Sequence, residues 1–300
     1  PVRLDRNGVS AFVAIMRGCN NFCSYCVVPY TRGRERSRDA ETIVAEVRSL
    51  FENGYREVTL LGQNVNSYGK DLSCGMDFAD LLAAIAQIPG DFLIRFMTSH
   101  PRDASEKLFD TMARYPKIAK QLHLPFQSGS SRVLKAMNRH YDRETYLQKV
   151  NYAKKVMPDL VLTSDVIIGF PGETEAEAMD TVSLVEEVGF DALFTFIYSP
   201  RPGTKAAAMP DPATRAEKQK WFDKLLEVQN ANSAKLHAAY VGKTVRVLVD
   251  GESDDENFPL ASRTEGNRLV RLKGDKSLIG SFIDVKITDS NTWALFGEMV

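Results

Sequence analysis

The sequence between residues 10 and 199 alternates short apolar runs with longer stretches in which apolar residues recur at helical spacing. Ile43, Val47 and Leu50 form one such helical set. The apolar runs predict β-strands at Ala11–Met16, Glu57–Leu61, Leu93–Thr98, Leu122–Phe126, Leu162–Ile168 and Leu193–Tyr198. The stretches between them predict helices at Ala40–Glu52, Phe78–Ala86, Ser105–Arg114, Ser130–Val156 with a break near Asn138–Tyr141, and Glu175–Glu187.

This order of elements indicates the fold class. Strands that alternate with helices are typical of an α/β fold with a parallel sheet. Six strand–helix units form either an open sheet or a TIM-like partial (β/α)6 barrel. In a barrel, the loops after the strands would converge at one end and form the ligand site.

The pattern changes after the proline-rich segment Ser199–Pro212. A long helix is predicted at about Thr214–Ala239, and short strands follow it, separated by Gly, Asp and Asn. Such closely spaced strands predict a small all-β, OB-like barrel. We therefore expect an α/β core at 1–212, a connecting helix at 213–239 and a β-barrel at 240–300. The predicted barrel strands are Val245–Val249, Phe258–Ser262, Arg268–Leu272, Ser281–Ile287 and Trp293–Glu298.

Composition narrows the class of protein. No apolar stretch approaches the roughly 20 residues of a membrane span, so no membrane association is expected. The formal net charge is −1, which gives no bulk attraction to nucleic acid but leaves room for a local basic patch. The chain has 4 cysteines, too few for a disulfide scaffold, and their clustering predicts metal ligation in a reducing cytoplasm. Because the sequence begins with Pro1, we expect residues to be missing from its front.

Three cysteines follow the first predicted strand with the spacing C-x3-C-x2-C: Cys19, Cys23 and Cys26. A loop of this size can wrap a cubane cluster and supply three thiolates, which leaves one iron open to a substrate. The alternative is a structural zinc site, which needs a fourth ligand such as Cys74 or His100. Neither of those two residues belongs to a paired zinc motif, so the spacing favours the iron–sulfur cluster.

Several segments resemble the radical S-adenosylmethionine (SAM) methylthiotransferases, most closely the type that acts on tRNA. The resemblance lies in Cys19–Arg38, Thr59–Gly69, Leu122–Asn138, Asp165–Thr174 and Tyr198–Thr204, and residues 240–300 resemble the family's TRAM domain. It implies a radical SAM barrel with a [4Fe–4S] cluster on the three cysteines and with SAM as cofactor. Residues at the strand ends would hold SAM, with Tyr25 near its adenine: Gly62, Gln63, Asn64, Ser99, Gln127, Ser128, Asp165 and Gly169.

The resemblance also implies an activity. A 5′-deoxyadenosyl radical would remove hydrogen from C2 of N6-isopentenyladenosine at position 37, next to the tRNA anticodon, and a methylthio group would be added there. Within the family, the target could instead be threonylcarbamoyl-adenosine in tRNA or an aspartate of a ribosomal protein. An alternative of another class is a zinc-stabilised RNA-binding protein. The implied partners are the tRNA anticodon stem-loop and an electron donor such as flavodoxin or ferredoxin, and we expect a monomer.

An arginine-rich segment follows the cysteines directly. Arginine suits phosphates and stacks on exposed bases, so we expect this segment to guide the anticodon loop to the cluster. The alternative is a solvated charged loop. The residues are Arg32, Arg34, Arg36 and Arg38. RNA binding by the C-terminal barrel would require its basic residues to share one face: Lys243, Arg246, Arg263, Arg268, Arg271 and Lys273. The alternative there is a stabilising appendage.

The sequence departs from the family in its number of cysteines. Methylthiotransferases carry an N-terminal domain whose three further cysteines hold a second cluster, the source of sulfur. Once three cysteines are used, only Cys74 remains here. We therefore expect one cluster in this chain, a second in a missing N-terminal domain, and no completed sulfur insertion by this portion alone.

Overall fold

The structure is a computed structural model that describes residues 5, 6, 8–73 and 75–300, so Cys74 lies outside the described residues. In chain order its strands are β1 (Asp5–Arg6), β2 (Ser10–Ala14), β3 (Met16–Arg17), β4 (Arg36–Ser37), β5 (Glu57–Leu61), β6 (Leu93–Phe96), β7 (Gln121–His123), β8 (Val161–Ile168), β9 (Ala192–Ile197), β10 (Thr244–Asp255), β11 (Phe258–Thr264), β12 (Leu269–Leu272), β13 (Phe282–Ser290) and β14 (Leu295–Met299). Its helices are α1 (Val28–Arg32), α2 (Ala40–Glu52), α3 (Phe78–Ala86), α4 (Glu106–Arg114), α5 (Ser131–Ala136), α6 (Arg143–Val156), α7 (Glu175–Val188) and α8 (Arg215–Ala238).

Six parallel strands form a partial barrel. β2, β5 and β6 pair in parallel, and so do β7, β8 and β9. The two groups meet at Ile94, whose N–H donates to the Lys117 carbonyl at 2.8 Å and whose carbonyl accepts from the Ala119 N–H at 3.0 Å. Among the described residues no ladder joins β9 to β1 or β2, so the barrel is open on that side. The predicted partial (β/α)6 barrel is confirmed.

Local sequence signals account for the helices around the barrel. Asp39 caps α2 by accepting from the Thr42 N–H at 2.9 Å, and Thr174 caps α7 in a capping box with Glu177. The predicted break between two helices is confirmed, because Asn138 adopts a left-handed φ of 60°. Within the part of the chain that the structure describes, no helix has the length and apolarity to cross a membrane.

The inner and outer faces of the barrel differ in chemistry. Along β8 the outward residues are buried under the helices, and they are Leu162, Ser164, Val166 and Ile168. Thr163, Asp165 and Ile167 point the other way, into the lumen, and are half-buried. Register places Asp165 beside Phe194 of β9, so Phe194 faces the lumen too.

The C-terminal strands close into a second barrel, in the order β10-β11-β12-β14-β13. The predicted small barrel is confirmed, although β10 and β13 are longer than expected because both contain register shifts that extend them beyond the apolar core. Its core consists of Val247, Val249, Leu260, Val270, Leu272, Val285, Ile287 and Leu295.

This C-terminal barrel docks at the amino ends of the parallel strands. Arg95, which is 4% exposed, points into the lumen of the large barrel and donates to the carbonyls of Thr264 at 3.0 Å and Glu265 at 2.6 Å. The next residue, Gly266, packs so closely on Val161 that a Cβ atom would collide with that side chain. The two domains are thus joined by tight backbone contacts at the end of the barrel opposite the loops that follow the strands.

Candidate active site

The cysteine loop lies at the carboxyl end of the barrel, inside the β3–β4 hairpin. Cys19 N–H donates to the Gly33 carbonyl at 3.1 Å, which ties the start of the loop to its return. Gly18 adopts a φ of 78°, and a Cβ atom there would collide with the carbonyl of Arg34. Glycine is therefore required where the loop leaves β3.

The three cysteines are free thiols in this loop. Cys19 and Cys23 are buried and Cys26 is half-buried. Burial raises the pKa of the Cys19 thiol to about 11 and also raises the pKa of Cys26. Among the described residues no three His, Cys, Asp or Glu side chains come close enough to hold one metal ion. A cubane does not need such an arrangement, because each thiolate binds a different iron.

The helix break after α5 holds the cysteine loop in place. Asn138 Nδ2 donates to the carbonyls of Asn21 at 3.2 Å and Phe22 at 2.9 Å. Ser24 N–H donates to the Met137 carbonyl at 3.0 Å. Sequence reasoning located the break but did not assign it this role.

Arg139 extends from the same break to the cysteines. The residue is 4% exposed, and its guanidinium donates to Cys23 Sγ and to Tyr25 Oη, both at 3.5 Å. It also donates to the Pro125 carbonyl at 2.8 Å and to Tyr141 Oη at 3.0 Å. Sequence reasoning missed this residue. Its only sequence signal is a position within the predicted break.

The polar residues predicted after β5 and β6 reach the same end of the barrel. Gln63 Oε1 accepts from the Gly18 N–H at 2.6 Å, so it supports the cysteine loop. Asn64 is 1% exposed and donates to Asp103, while its Oδ1 has no hydrogen-bond partner among the described residues. Ser99 is 5% exposed, and its hydroxyl likewise finds no hydrogen-bond partner in the described part of the chain. Gly62 packs against the Met16 side chain, which leaves no room for a Cβ atom.

Two unpredicted residues extend this group. His100 Nε2 and Asn66 Nδ2 are buried, and neither atom has a hydrogen-bond partner within the residues that the structure describes. The His100 N–H donates to Asn66 Oδ1 at 3.1 Å, so the loops after β5 and β6 are joined there. Burial lowers the pKa of His100 to about 2, so its imidazole is neutral. Both residues lie close in sequence to predicted ones, Asn64 and Ser99.

The residues predicted after β7 differ in their surroundings. Gln127 adopts a left-handed φ of 68°, and its backbone bridges to Val166 of β8. Ser128 is fully buried and its hydroxyl lies 3.4 Å from Thr181 Oγ1, so it supports the turn. Tyr25 packs on a small apolar cluster that includes Phe170, and burial raises its pKa well above the usual range.

Asp165 and Gly169 lie on and after β8. Asp165 faces the lumen with one oxygen 3.4 Å from His123 Nε2. Gly169 N–H donates to the buried carboxylate of Glu173, and a Cβ atom at Gly169 would collide with the Lys218 side chain. Burial raises the pKa of Glu173 to about 7. Some polar residues at the strand ends thus have atoms available to bind a ligand, whereas others form hydrogen bonds that hold the loops in place.

Three exposed apolar side chains form a strip along the lumen wall. Phe194 and Phe196 on β9 are 52% and 55% exposed, and Met97 after β6 is 38% exposed. The Phe194 and His123 rings pack edge to face, with 5.7 Å between their centres. Phe194, Met97 and His123 also line a cavity of about 270 Å³ that reaches Trp293 in the C-terminal barrel.

The four predicted arginines do not behave alike. Arg32, Arg34 and Arg36 are exposed, and Arg34 lies 4.9 Å from the centre of the Phe22 ring in the cysteine loop. Arg38 instead donates to the Ala14 carbonyl at 2.5 Å and to Glu46 at 2.7 Å. Its guanidinium is therefore engaged in holding α2 against the first strand of the barrel.

Most of the basic residues of the C-terminal barrel are paired with carboxylates. Arg246, Arg263, Arg268 and Arg271 pair with Asp91, Asp250, Asp191 and Asp255, respectively. Lys243 and Lys273 lie over the rings of Tyr240 and Phe258. Most of these basic side chains are therefore already engaged in contacts within the protein.

Two family models match the chain. The radical SAM superfamily model matches residues 13–185, and the TRAM domain model matches residues 238–300. The matches fall on the partial barrel and on the C-terminal barrel.

Curated relatives match almost the entire chain. The protein named tRNA-2-methylthio-N(6)-dimethylallyladenosine synthase from Clostridium botulinum (strain Langeland / NCTC 10281 / Type F) is 52% identical over 298 residues, which are 99% of this chain and 66% of the relative. A protein of the same name from Thermoanaerobacter sp. (strain X514) is 50% identical over 300 residues, 100% of this chain and 64% of the relative. The chain thus spans 64–66% of the length of these relatives.

Solved structures share the fold. Coproporphyrinogen III oxidase from Escherichia coli, described as a radical SAM enzyme, has a TM-score of 0.59 at 16% identity and covers 98% of this chain and 71% of its own. The radical S-adenosylmethionine methyltransferase TsrM from Kitasatospora setae has a TM-score of 0.55 at 20% identity, covering 67% of this chain and 38% of its own. At these identities the similarity concerns the fold alone.

Proposed function

Because this chain belongs to the radical SAM superfamily, we propose that it provides the radical-generating part of a tRNA methylthiotransferase. The proposed reaction adds a methylthio group at C2 of N6-isopentenyladenosine at position 37 of tRNA. The relatives that carry a name for this chemistry are 50–52% identical to the chain, which supports the choice of substrate class.

The residues present fit the superfamily's cofactors, a [4Fe–4S] cluster and SAM. We assign the cluster to Cys19, Cys23 and Cys26, three free thiols on one loop held by Gly18 and Asn138. The unpartnered polar atoms at the neighbouring strand ends suit the polar parts of SAM; they are Asn64 Oδ1, Asn66 Nδ2, Ser99 Oγ and His100 Nε2. When bound, the cluster and SAM supply a radical able to remove hydrogen from an unreactive C–H bond.

One observation carries the choice of nucleoside: the exposed apolar strip of Met97, Phe194 and Phe196 on the lumen side of the barrel. Exposed aromatic side chains stack on an unpaired base, and apolar side chains favour a prenyl group by about 0.8 kcal/mol for each buried methylene. Phe194 and Phe196 lie on β9, which borders the open side of the barrel, so a base swung out of an RNA loop can reach the strip.

The charges around the lumen support the same choice. Threonylcarbamoyl-adenosine and aspartate both carry a carboxylate, which needs a cation in a water-poor site. Besides the cavity that reaches Trp293, the lumen holds a second cavity of about 410 Å³, lined by residues that include Thr59, Arg95 and Met97. Among the described residues that line these two cavities, Arg95, Arg263 and Arg268 are each paired with a carboxylate of the protein. An uncharged prenyl substituent makes no such demand.

We further propose that Arg32, Arg34 and Arg36 contact the RNA backbone beside the cysteine loop, and that Arg38 supports the fold. The electron would come from a low-potential donor such as flavodoxin or ferredoxin, and the enzyme would act as a monomer in the cytoplasm. Within the 300 residues we expect one cluster, with a core domain at 1–212, a connecting helix at 213–239 and a TRAM domain at 240–300.

The test is mass spectrometry of tRNA nucleosides from cells that lack the gene. The proposal expects loss of the 2-methylthio group and accumulation of N6-isopentenyladenosine. Loss of the methylthio group from threonylcarbamoyl-adenosine instead, or unchanged tRNA, would contradict it. Complementation with the full-length gene carrying Phe194→Ala and Phe196→Ala should lower the 2-methylthio product at least tenfold. Phe194→Leu with Phe196→Leu keeps an apolar wall and should retain more product than the alanine pair.

A further inference from the structure

Arg139 is a buried cation without an anionic partner in the described part of the protein. Its hydrogen bonds go to two groups that anchor it, the Pro125 carbonyl and Tyr141 Oη, and to Tyr25 Oη and Cys23 Sγ. No carboxylate of a described residue forms an ion pair with it, although the residue is only 4% exposed. Buried charges are normally paired, because taking a lone charge out of water is very costly.

The direction of the guanidinium identifies the compensating charge. Its Nη1 lies 3.5 Å from Cys23 Sγ. A thiolate that ligates a [4Fe–4S] cluster belongs to an assembly with a net negative charge, which would balance the guanidinium. We propose that Arg139 is the counter-charge of the cluster and that it raises the cluster's reduction potential. This inference depends on the assignment of the three cysteines proposed above.

The physical effect has a definite sign. Reduction of the cluster from the 2+ to the 1+ state adds one electron, taken from a low-potential donor protein in the cell or from dithionite in the test. Arg139 stays protonated throughout, so no proton is transferred. A nearby positive charge stabilises the more negative, reduced state and therefore raises the potential. Hydrogen bonds to the ligand sulfur act in the same direction.

The hydrogen bonds of Arg139 fix the position of its charge relative to Cys23 Sγ, and therefore its effect on the reduction potential. Nη2 is bonded to the Pro125 carbonyl at 2.8 Å and Nε to Tyr141 Oη at 3.0 Å, while Nη1 faces the sulfur. The planar guanidinium thus donates from Nε, Nη1 and Nη2 in three directions, which the single ammonium of lysine cannot reproduce. We expect lysine to keep the charge and lose part of the positioning.

The experiment is an EPR-monitored redox titration of the anaerobically reconstituted 300-residue protein. Arg139→Gln should lower the one-electron reduction equilibrium constant at least tenfold, which corresponds to 59 mV. Arg139→Lys should recover at least half of that shift. Arg143→Gln is the matched control. It removes the same charge from a side chain that binds Glu187 and Ser183, so the reduction potential of the cluster should equal that of the wild type. A loaded Arg139→Gln protein with the wild-type potential would overturn the proposal.

Cluster content decides the outcome if Arg139→Gln does not hold a cluster. In that case the cluster is reconstituted in Arg139→Met and Arg139→Lys in parallel. Iron and sulfide analysis measures the cluster content, and circular dichroism checks that each variant is folded. Recovery of the cluster by lysine but not by methionine supports a charge role. Equal loss in both variants would show that charge is not what matters and would refute the proposal. A wild-type protein that takes up no cluster would instead refute the cysteine assignment.

Discussion

Arg95→Met should loosen the contact between the two barrels. Arg95 donates to Glu57 Oε2 at 2.6 Å and to Gln121 at 3.2 Å, and its other bonds go to the carbonyls of Thr264 and Glu265. Methionine keeps an unbranched apolar stem but removes every donor and the charge. The variant therefore tests whether this one side chain secures the C-terminal barrel.

The magnitude follows from the burial of the ion pair. The side chains of Arg95 and Glu57 are 4% and 13% exposed, so solvent screens the pair little. Removing one partner of a buried pair costs about 3–5 kcal/mol, because the other charge is left uncompensated. We expect the free energy of unfolding to fall by about that amount. Glu57→Gln in the same protein removes the stranded charge and should restore about 1–3 kcal/mol.

Urea denaturation measures the total effect, and hydrogen exchange locates it. In Arg95→Met, amide protection should fall most strongly at Thr264–Arg268, the segment that touches the large barrel, and less in the core strand β5. Exposed Arg215 offers a control, and Arg215→Gln should leave both readouts unchanged. A wild-type unfolding free energy for Arg95→Met, or protection that falls equally everywhere, would refute the role of Arg95 in the interface.

Two further predictions concern charge. Burial raises the pKa of Glu173 to about 7 from 4.5, so the stability it contributes is fully present below pH 4.5 and is lost as the pH rises through 7. Between pH 5 and 8 the wild type should lose about 2–3 kcal/mol more unfolding free energy than Glu173→Gln, and parallel urea curves would contradict this. Arg34→Gln with Arg36→Gln should weaken tRNA binding. The slope of the logarithm of the binding constant against the logarithm of the salt concentration should decrease in magnitude by about 1 for each phosphate that is no longer neutralised. Arg215→Gln should change neither quantity.

The elements of the fold were predictable where periodicity is strong. The bounds of α2, α3 and β5 match the sequence prediction, because each combines an apolar face with a clear start signal or a compact apolar run. The β3–β4 hairpin was not predicted. Its strands have two residues each, too few for any periodic pattern, and they pair because Gly18 allows the backbone at Arg34 to approach.

The site was predictable only in its local parts. Three cysteines within eight positions can be recognised from their spacing alone, whereas Asn138 reaches Phe22 across 116 positions of sequence. The arginine segment shows the same limit. Arg36 and Arg38 look equivalent in sequence, but among the described residues only Arg38 of the two forms a direct ion pair, with Glu46 at 2.7 Å. Such partners depend on the packing of α2 against the barrel, which no local pattern encodes.

The arrangement of the two domains constrains how a large substrate can bind. The cysteine loop lies at the carboxyl end of the lumen, and the C-terminal barrel closes the amino end through Arg95 and Gly266. Between these ends the lumen is open at β9, where Phe194 is exposed. Under the proposed function, an RNA that contacts both domains would run along this open side, with its reactive base turned inward past Phe194. Because most arginines of the C-terminal barrel are already paired, shape and aromatic contacts at Trp293 would contribute more there than charge.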